Sequence, residues 1–167
     1  LLELIVFGRE AGKNAALYAK SFSKDIDAST QMHQDREFLK EIKHYSKEVD
    51  FYEKRSQVGD IFYKHVGISR DKETLKRSLD AIAEIKKEFP LMGAKDSSSI
   101  YNTNLVEFIE FANMIELSEI VLICAIARDE SRGAHYRSDA ISENDEKYKA
   151  HTIAYKTNER LCTDFRE

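Results

Sequence analysis

The sequence has no tryptophan, one proline (Pro90), six glycines and two cysteines in 167 residues. Two cysteines, Cys124 and Cys162, make neither a disulfide framework nor a metal site. The shortage of proline and glycine removes the usual breakers of regular structure and favours long helices. No apolar run reaches the roughly 20 residues needed to span a bilayer. No Gly-x-Gly-x-x-Gly pattern is present, so the chain carries no dinucleotide-binding turn of its own. It also lacks an excess of one charge. The 26 Lys+Arg and 30 Asp+Glu give a net charge of −4. The two signs are interleaved, and no basic field for nucleic acid results. An initiator methionine is missing as well. The chain opens inside an apolar pattern, Leu1-Leu2-Glu3-Leu4, and reads as a fragment of something longer.

What is present is globular in composition, with 34% charged and 42% apolar residues. Residues 1–20 read as a helix, because Leu1, Leu4, Ile5, Gly8, Ala11, Gly12, Ala15, Ala16 and Ala19 recur at helical spacing. Its small residues share one face, which suits either tight packing in any helical domain or docking against a larger one. Residues 21–34 read as a polar loop, and a long helix is expected over about 35–65. Its stripe includes Phe38, Leu39, Ile42, Tyr45, Val49, Tyr52, Val58, Ile61 and Phe62, with Gly67 as the stop. Asp71 is a candidate N-cap for a helix over about 72–89, ended by Pro90. A further helix starts near Thr103 or Asn104, where Asn104 and Glu107 have capping-box spacing, and runs to about Arg128. Leu79, Ile82, Phe108, Ile109, Ile115 and Leu122 are the expected core. Short strands are expected near 150–157 and 160–165. The fold class expected is all-α: an antiparallel, spectrin-like bundle of about three long helices over 21–130, with an N-terminal helix (1–20) and an extended C-terminal tail (131–167).

Three motifs carry a family resemblance. Leu1-Leu2-Glu3-Leu4-Ile5-Val6-Phe7-Gly8-Arg9-Glu10-Ala11-Gly12, Glu130-Ser131-Arg132-Gly133-Ala134-His135-Tyr136-Arg137 and Lys149-Ala150-His151-Thr152 occur in the order and spacing of the C-terminal region of succinate dehydrogenase and fumarate reductase flavoproteins. Between them, Val66-Gly67-Ile68-Ser69-Arg70-Asp71 and Asn113-Met114-Ile115-Glu116-Leu117 also resemble that family. There are departures. Ala140-Ile141 stands where the family usually has Tyr-Pro, Glu143-Asn144-Asp145 where it has Arg-Asp-Asp, and Tyr148 in place of a Trp. L-Aspartate oxidase is a close relative, but its second signature usually has Leu at the place of Ala134. A free-standing helical interaction module is the alternative from a different class.

The resemblance implies a fragment of an FAD-dependent oxidoreductase that interconverts succinate and fumarate. In such a protein an iron–sulfur subunit exchanges electrons with the flavin, membrane-anchor and quinone subunits act indirectly, and the complex is peripheral to a membrane, on its cytoplasmic face. It places the nucleotide-binding glycines and the substrate-clamping Arg and His residues before Leu1. Residues 1–20 become the end of the flavin-capping segment. The only cofactor contact it carries over is Leu1, at a helix N-terminus whose partial positive charge suits the reduced flavin ring. No catalytic residue and no metal ligand is expected in this chain, and no FAD is expected on the fragment alone. Arg132, His135 and Arg137 invite a catalytic reading, but a structural role fits better, holding the tail against the bundle or the flavin domain. His33, His44, His65 and His151 lack ligand spacing, and Cys124 reads as buried and inert. Parted from its domain, the segment 1–20 is expected to be frayed, displaced, or buried in self-association with another copy of the chain.

Overall fold

A computed structural model describes residues 2–22, 27–157 and 160–166. The chain divides into two compact units, Leu1–Leu39 and Lys40–Glu167. In the first, helix α1 (Leu2–Ser21) has no buried residue, and Leu2, Leu4, Ile5 and Phe7 are each more than two-thirds exposed. Helix α2 (Ser29–Ile42) begins inside the stretch expected to be a loop. Asp27 explains its start, because its carboxylate accepts from the Ser29 amide at 2.9 Å.

The single long helix expected over 35–65 is two. Helix α2 stops at Ile42, and α3 (Phe51–Ile61) starts afresh from Asp50, whose side chain accepts from Tyr52 N. Three observations account for the break. Lys47 has φ +62, outside the right-handed helical region. Ser46 N donates to Pro90 O and Val49 N to Leu91 O, so the intervening backbone is satisfied across the fold. The reset also turns Phe51 into the core, where it is 1% exposed. Tertiary pairing outweighs a continuous helical stripe here. A π-helical turn, Phe62–Val66, follows α3. The chain leaves it at Gly67, where a Cβ would meet the Tyr63 carbonyl oxygen at 3.0 Å.

Helix α4 (Lys72–Lys87) follows the sequence closely. Asp71 caps it by accepting from Thr74 N at 2.8 Å, and Leu75, Ile82 and Ile85 are buried. A short 3-10 turn, Phe89–Leu91, contains Pro90. Helix α5 (Thr103–Ala127) is the longest, but its cap is Asn102, two residues before the expected one. The Asn102 carboxamide accepts from Leu105 N at 2.7 Å and donates to the carbonyls of Asp96 and Ser98. Asn104 and Glu107 instead hold the Tyr52 hydroxyl, Asn104 as donor and Glu107 as acceptor.

Helices α3, α4 and α5 touch one another pairwise. Their core is aromatic at one end. Phe108 stacks on Phe89 at 4.7 Å and meets Phe51 edge-on at 5.3 Å. Phe111 is buried beside them, while Ile82, Ile115 and Leu122 continue the core. Leu79 and Ile109, expected inside, are only half-buried.

The class is mostly helical rather than all-α, because the tail holds a small sheet. After a one-turn helix α6 (Asp145–Tyr148), strands β1 (His151–Thr157) and β2 (Arg160–Arg166) pair antiparallel with His151 opposite Arg166. Both strands touch α5. Tyr148, 2% exposed, meets Phe165 edge-on at 5.0 Å.

Candidate functional site

Ionisable side chains gather at the C-terminal end of α5. The last carbonyls of a helix lack intrahelical partners and carry partial negative charge, so cations are favoured there. This sequence supplies Arg128 at the cap and a loop, 130–137, that folds back with more. The loop turns at Gly133, with φ +56, so that the backbones of Arg132 and His135 exchange hydrogen bonds of 2.9 and 3.0 Å. Ser131 Oγ donates to Ala140 O and accepts from Arg137 N.

Arg137 is fully buried, and its five N–H groups meet five acceptors. Nη1 reaches the carbonyls of Ala125 and Arg128, both at 3.2 Å. Nε and Nη2 grip both oxygens of Asp139 at 2.8 Å, and Nη2 reaches Asp129 at 3.1 Å. It therefore closes the end of α5 by direct bonds. The Asp139 carboxyl, held by that fork, is driven well below the usual carboxylate range.

Glu130 is the other buried centre. Its Oε1 accepts from Arg128 Nη1 at 2.6 Å and Arg132 Nε at 2.9 Å. Its Oε2 accepts from Arg132 Nη2 at 3.2 Å and the Asn144 amide at 2.8 Å. These bonds, that of Arg132 foremost, outweigh desolvation and lower its pKa to about 2. Arg128 directs three further N–H groups to the start of the hairpin: Tyr148 O at 2.9 Å, Ala150 O at 2.5 Å and Thr152 Oγ1 at 3.0 Å. Its guanidinium also lies over the rings of Phe165 and Tyr148, at 5.3 and 5.7 Å.

Arg70, just before α4, completes the cluster. It donates to Val66 O and to His135 Nδ1, both at 2.8 Å. Three of the motif segments singled out in the sequence thus meet at one place: Val66–Asp71 through Arg70, 130–137 through Arg137 and Glu130, and 149–152 through Arg128. The model of the fumarate reductase flavoprotein C-terminal family matches residues 55–166, a span that contains all three. The chain belongs to that family.

Similar proteins agree with the assignment. The Haemophilus influenzae fumarate reductase flavoprotein subunit is 30% identical, over 93% of this chain and 26% of that protein. A Rickettsia bellii succinate dehydrogenase flavoprotein subunit is 31% identical, over 92% of this chain and 26% of that protein. Among solved structures, an E. coli quinol fumarate reductase FrdA chain superposes with a TM-score of 0.87 at 28% identity, covering 99% of this chain and 29% of that one. The chain thus spans about a quarter of the length of the relatives it matches.

The cluster is poorly suited to substrate or cofactor. A cleft of about 560 Å³ opens beside it, lined by Arg128, Arg132, His135, Tyr148, Lys149 and His151 among others. Yet four of the five Arg128 N–H groups are already taken, and Arg132 is held by Glu130, Glu143 and Asp145. No open guanidinium fork is left to receive a dicarboxylate. FAD does not fit the described residues either. Their only sheet is the two-stranded antiparallel hairpin, with no parallel βαβ unit to seat a pyrophosphate. This family's C-terminal region is not the flavin-binding part. Leu1, the one expected cofactor contact, lies outside the described residues. Among the described residues no three His, Cys, Asp or Glu side chains converge as metal ligands.

Of the residues singled out beforehand, the structure brings Arg132, His135 and Arg137 into one network. Sequence reasoning passed over Arg70, Arg128, Glu130 and Asp139. The available signal was the charge alternation through Arg128-Asp129-Glu130, Arg132, Arg137 and Asp139, in a stretch without helical period.

Proposed function

We propose that this chain is the C-terminal region of a flavoprotein subunit that interconverts succinate and fumarate with FAD and exchanges electrons with an iron–sulfur subunit. The observation that supports it most is the meeting of the Arg70, 130–137 and 149–152 segments at the end of α5, inside a family match. The region's own work on this reading is structural. Its guanidinium network locks the tail, 131–167, onto the helical part, 21–130, where α3, α4 and α5 act as an antiparallel bundle. The resulting body packs on the flavin-binding domain and helps present it to the iron–sulfur subunit. Residues 1–20 end the flavin-capping segment, with Leu1 beside the cofactor. The exposed Leu2, Leu4, Ile5 and Phe7 form the surface that this domain covers, or that a second copy covers in its absence. Among the described residues no helix is long and apolar enough to cross a membrane. Peripheral attachment through membrane-anchor subunits, on the cytoplasmic face, completes the proposal. The family match favours this reading over an L-aspartate oxidase or a free-standing interaction module.

The test compares the 167-residue chain with the complete polypeptide that contains it. The complete polypeptide is expected to purify with flavin absorbance and to reduce fumarate with an artificial donor. The chain alone is expected to retain no flavin after incubation with FAD and gel filtration. Stoichiometric flavin on the chain alone, or a flavin-free complete polypeptide, would overturn the proposal.

A further inference from the structure

The connector between the π-helical turn and α4 meets the loop after α5 at one imidazole. Both nitrogens of His135 are engaged, in opposite senses. Nδ1 lies 2.8 Å from Arg70 Nη1, and Nε2 lies 3.0 Å from the carbonyl oxygen of Arg128. A guanidinium only donates, so Nδ1 must accept and carries no hydrogen. A carbonyl only accepts, so Nε2 carries the hydrogen and donates it. The geometry therefore requires the neutral ring in one tautomer.

Protonation would place a second N–H against the Arg70 N–H, donor facing donor and cation facing cation. The charged groups acting on the ring are the guanidinium groups of Arg70 from the connector, Arg128 from the end of α5 and Arg137 from its own loop. Arg132 of the same loop, and Lys149 and His151 at the start of the hairpin, line the same cleft. The backbone joined by this contact is specific. Arg70 N donates to Tyr136 O at 3.2 Å, and Ser138 N donates to Arg70 O at 2.8 Å. Beside them the Lys72 amide donates to Asp139 at 2.9 Å.

We propose that His135 is a proton-controlled latch: neutral, it fastens the connector 67–71 to the loop 130–140, and protonation releases that fastening. The inference holds whatever reaction the complete polypeptide performs. Burial is the first influence lowering the affinity of the ring for a proton. The bond to the Arg128 carbonyl opposes it, and the three guanidinium charges add to it. The sign follows. A His titrating lower in the folded chain than unfolded leaves the unfolded chain with more protons, so the latch contributes fully above the ordinary value of 6.5 and is lost as pH falls through the folded value.

The test combines an NMR titration of the His135 ring with amide exchange at Arg70 and Ser138, over about pH 8 to about pH 5. The ring is expected to titrate below its ordinary value. Exchange at both amides, corrected for its intrinsic pH dependence, is expected to rise about tenfold for each pH unit by which that titration is lowered. His135→Gln offers a neutral acceptor and donor that no proton disturbs, and its exchange should stay flat over the same range. Arg70→Met should move the ring titration upward. A ring titrating at or above its ordinary value overturns the latch, as does exchange that ignores the ring titration or persists in pH dependence in His135→Gln. If His135→Gln does not fold, the wild-type titration and its shift in Arg70→Met decide the matter.

Discussion

Replacing Arg137 with alanine is expected to destabilise the chain by about 1–3 kcal/mol, the cost of depriving buried acceptors of a donor, because Arg137 is buried while the carboxylates it grips are part-exposed. The side chain is fully buried, and its loss takes a donor from the Ala125 and Arg128 carbonyls and from both oxygens of Asp139, leaving the Arg128 carbonyl with His135 and Asp139 with the Lys72 amide. Such a loss is a large fraction of a domain's total stability of roughly 5–15 kcal/mol. Arg137→Lys keeps the charge but not the planar fork, so it should recover only part. Denaturant unfolding of the three proteins measures both effects. A pH dependence accompanies them. Asp139 ionises far more readily in the folded chain, so its contribution is complete above the ordinary aspartate value of 3.8 and is lost as pH falls through the folded value. The gap between wild type and Arg137→Ala should therefore narrow in acid. A change below about 0.5 kcal/mol, typical of surface positions, would show that Arg137 is not the closing group of α5.

Phe108→Ala is expected to cost more, about 3–5 kcal/mol, through a different term. Phe108 is fully buried between Phe89, Phe51 and Tyr45, which belong to three separate segments. Removing the ring opens a cavity those rings cannot close together, because each is fixed by its own backbone. Unlike the Arg137 effect, this one should be independent of pH. Phe108→Leu should retain more than half of the stability lost by alanine. Unfolding curves that place the alanine variant within about 0.5 kcal/mol of wild type would mean that the aromatic cluster is not the core.

Local signals were legible wherever a side chain bonds to its own neighbourhood. Asp71 reads as a cap because its partner, Thr74 N, is three residues on. The stripes of α4 and α5 place Ile82, Phe108, Ile115 and Leu122 correctly, since one face of each helix is buried. The alternation around Ile153 and Leu161 marks the hairpin. Signals failed where the deciding partner is distant. The break before Phe51 depends on Pro90 and Leu91 carbonyls some 45 residues away along the chain. Asn102 wins the cap over Asn104 because Asp96 and Ser98 anchor it. In the cluster, Arg132, His135 and Arg137 stood out by motif, yet nothing local says that Glu130 and Arg137 are buried. Charged residues become interior only through partners, and these lie elsewhere: Arg137 reaches back to the Ala125 and Arg128 carbonyls at the end of α5, and Glu130 takes the Asn144 amide.

The central claim is that this arginine-rich cluster holds the C-terminal region together and touches no substrate. The most direct measurement is fumarate reduction by the complete polypeptide carrying Arg132→Gln, alongside its melting temperature. Arg132 bridges Glu130, Glu143 and Asp145, so the melting temperature should fall. At a temperature where the variant is folded, kcat and KM should both stay within about twofold of wild type. A loss of about 100-fold or more in kcat with an unchanged melting temperature, the signature of a group that stabilises the transition state, would contradict the account.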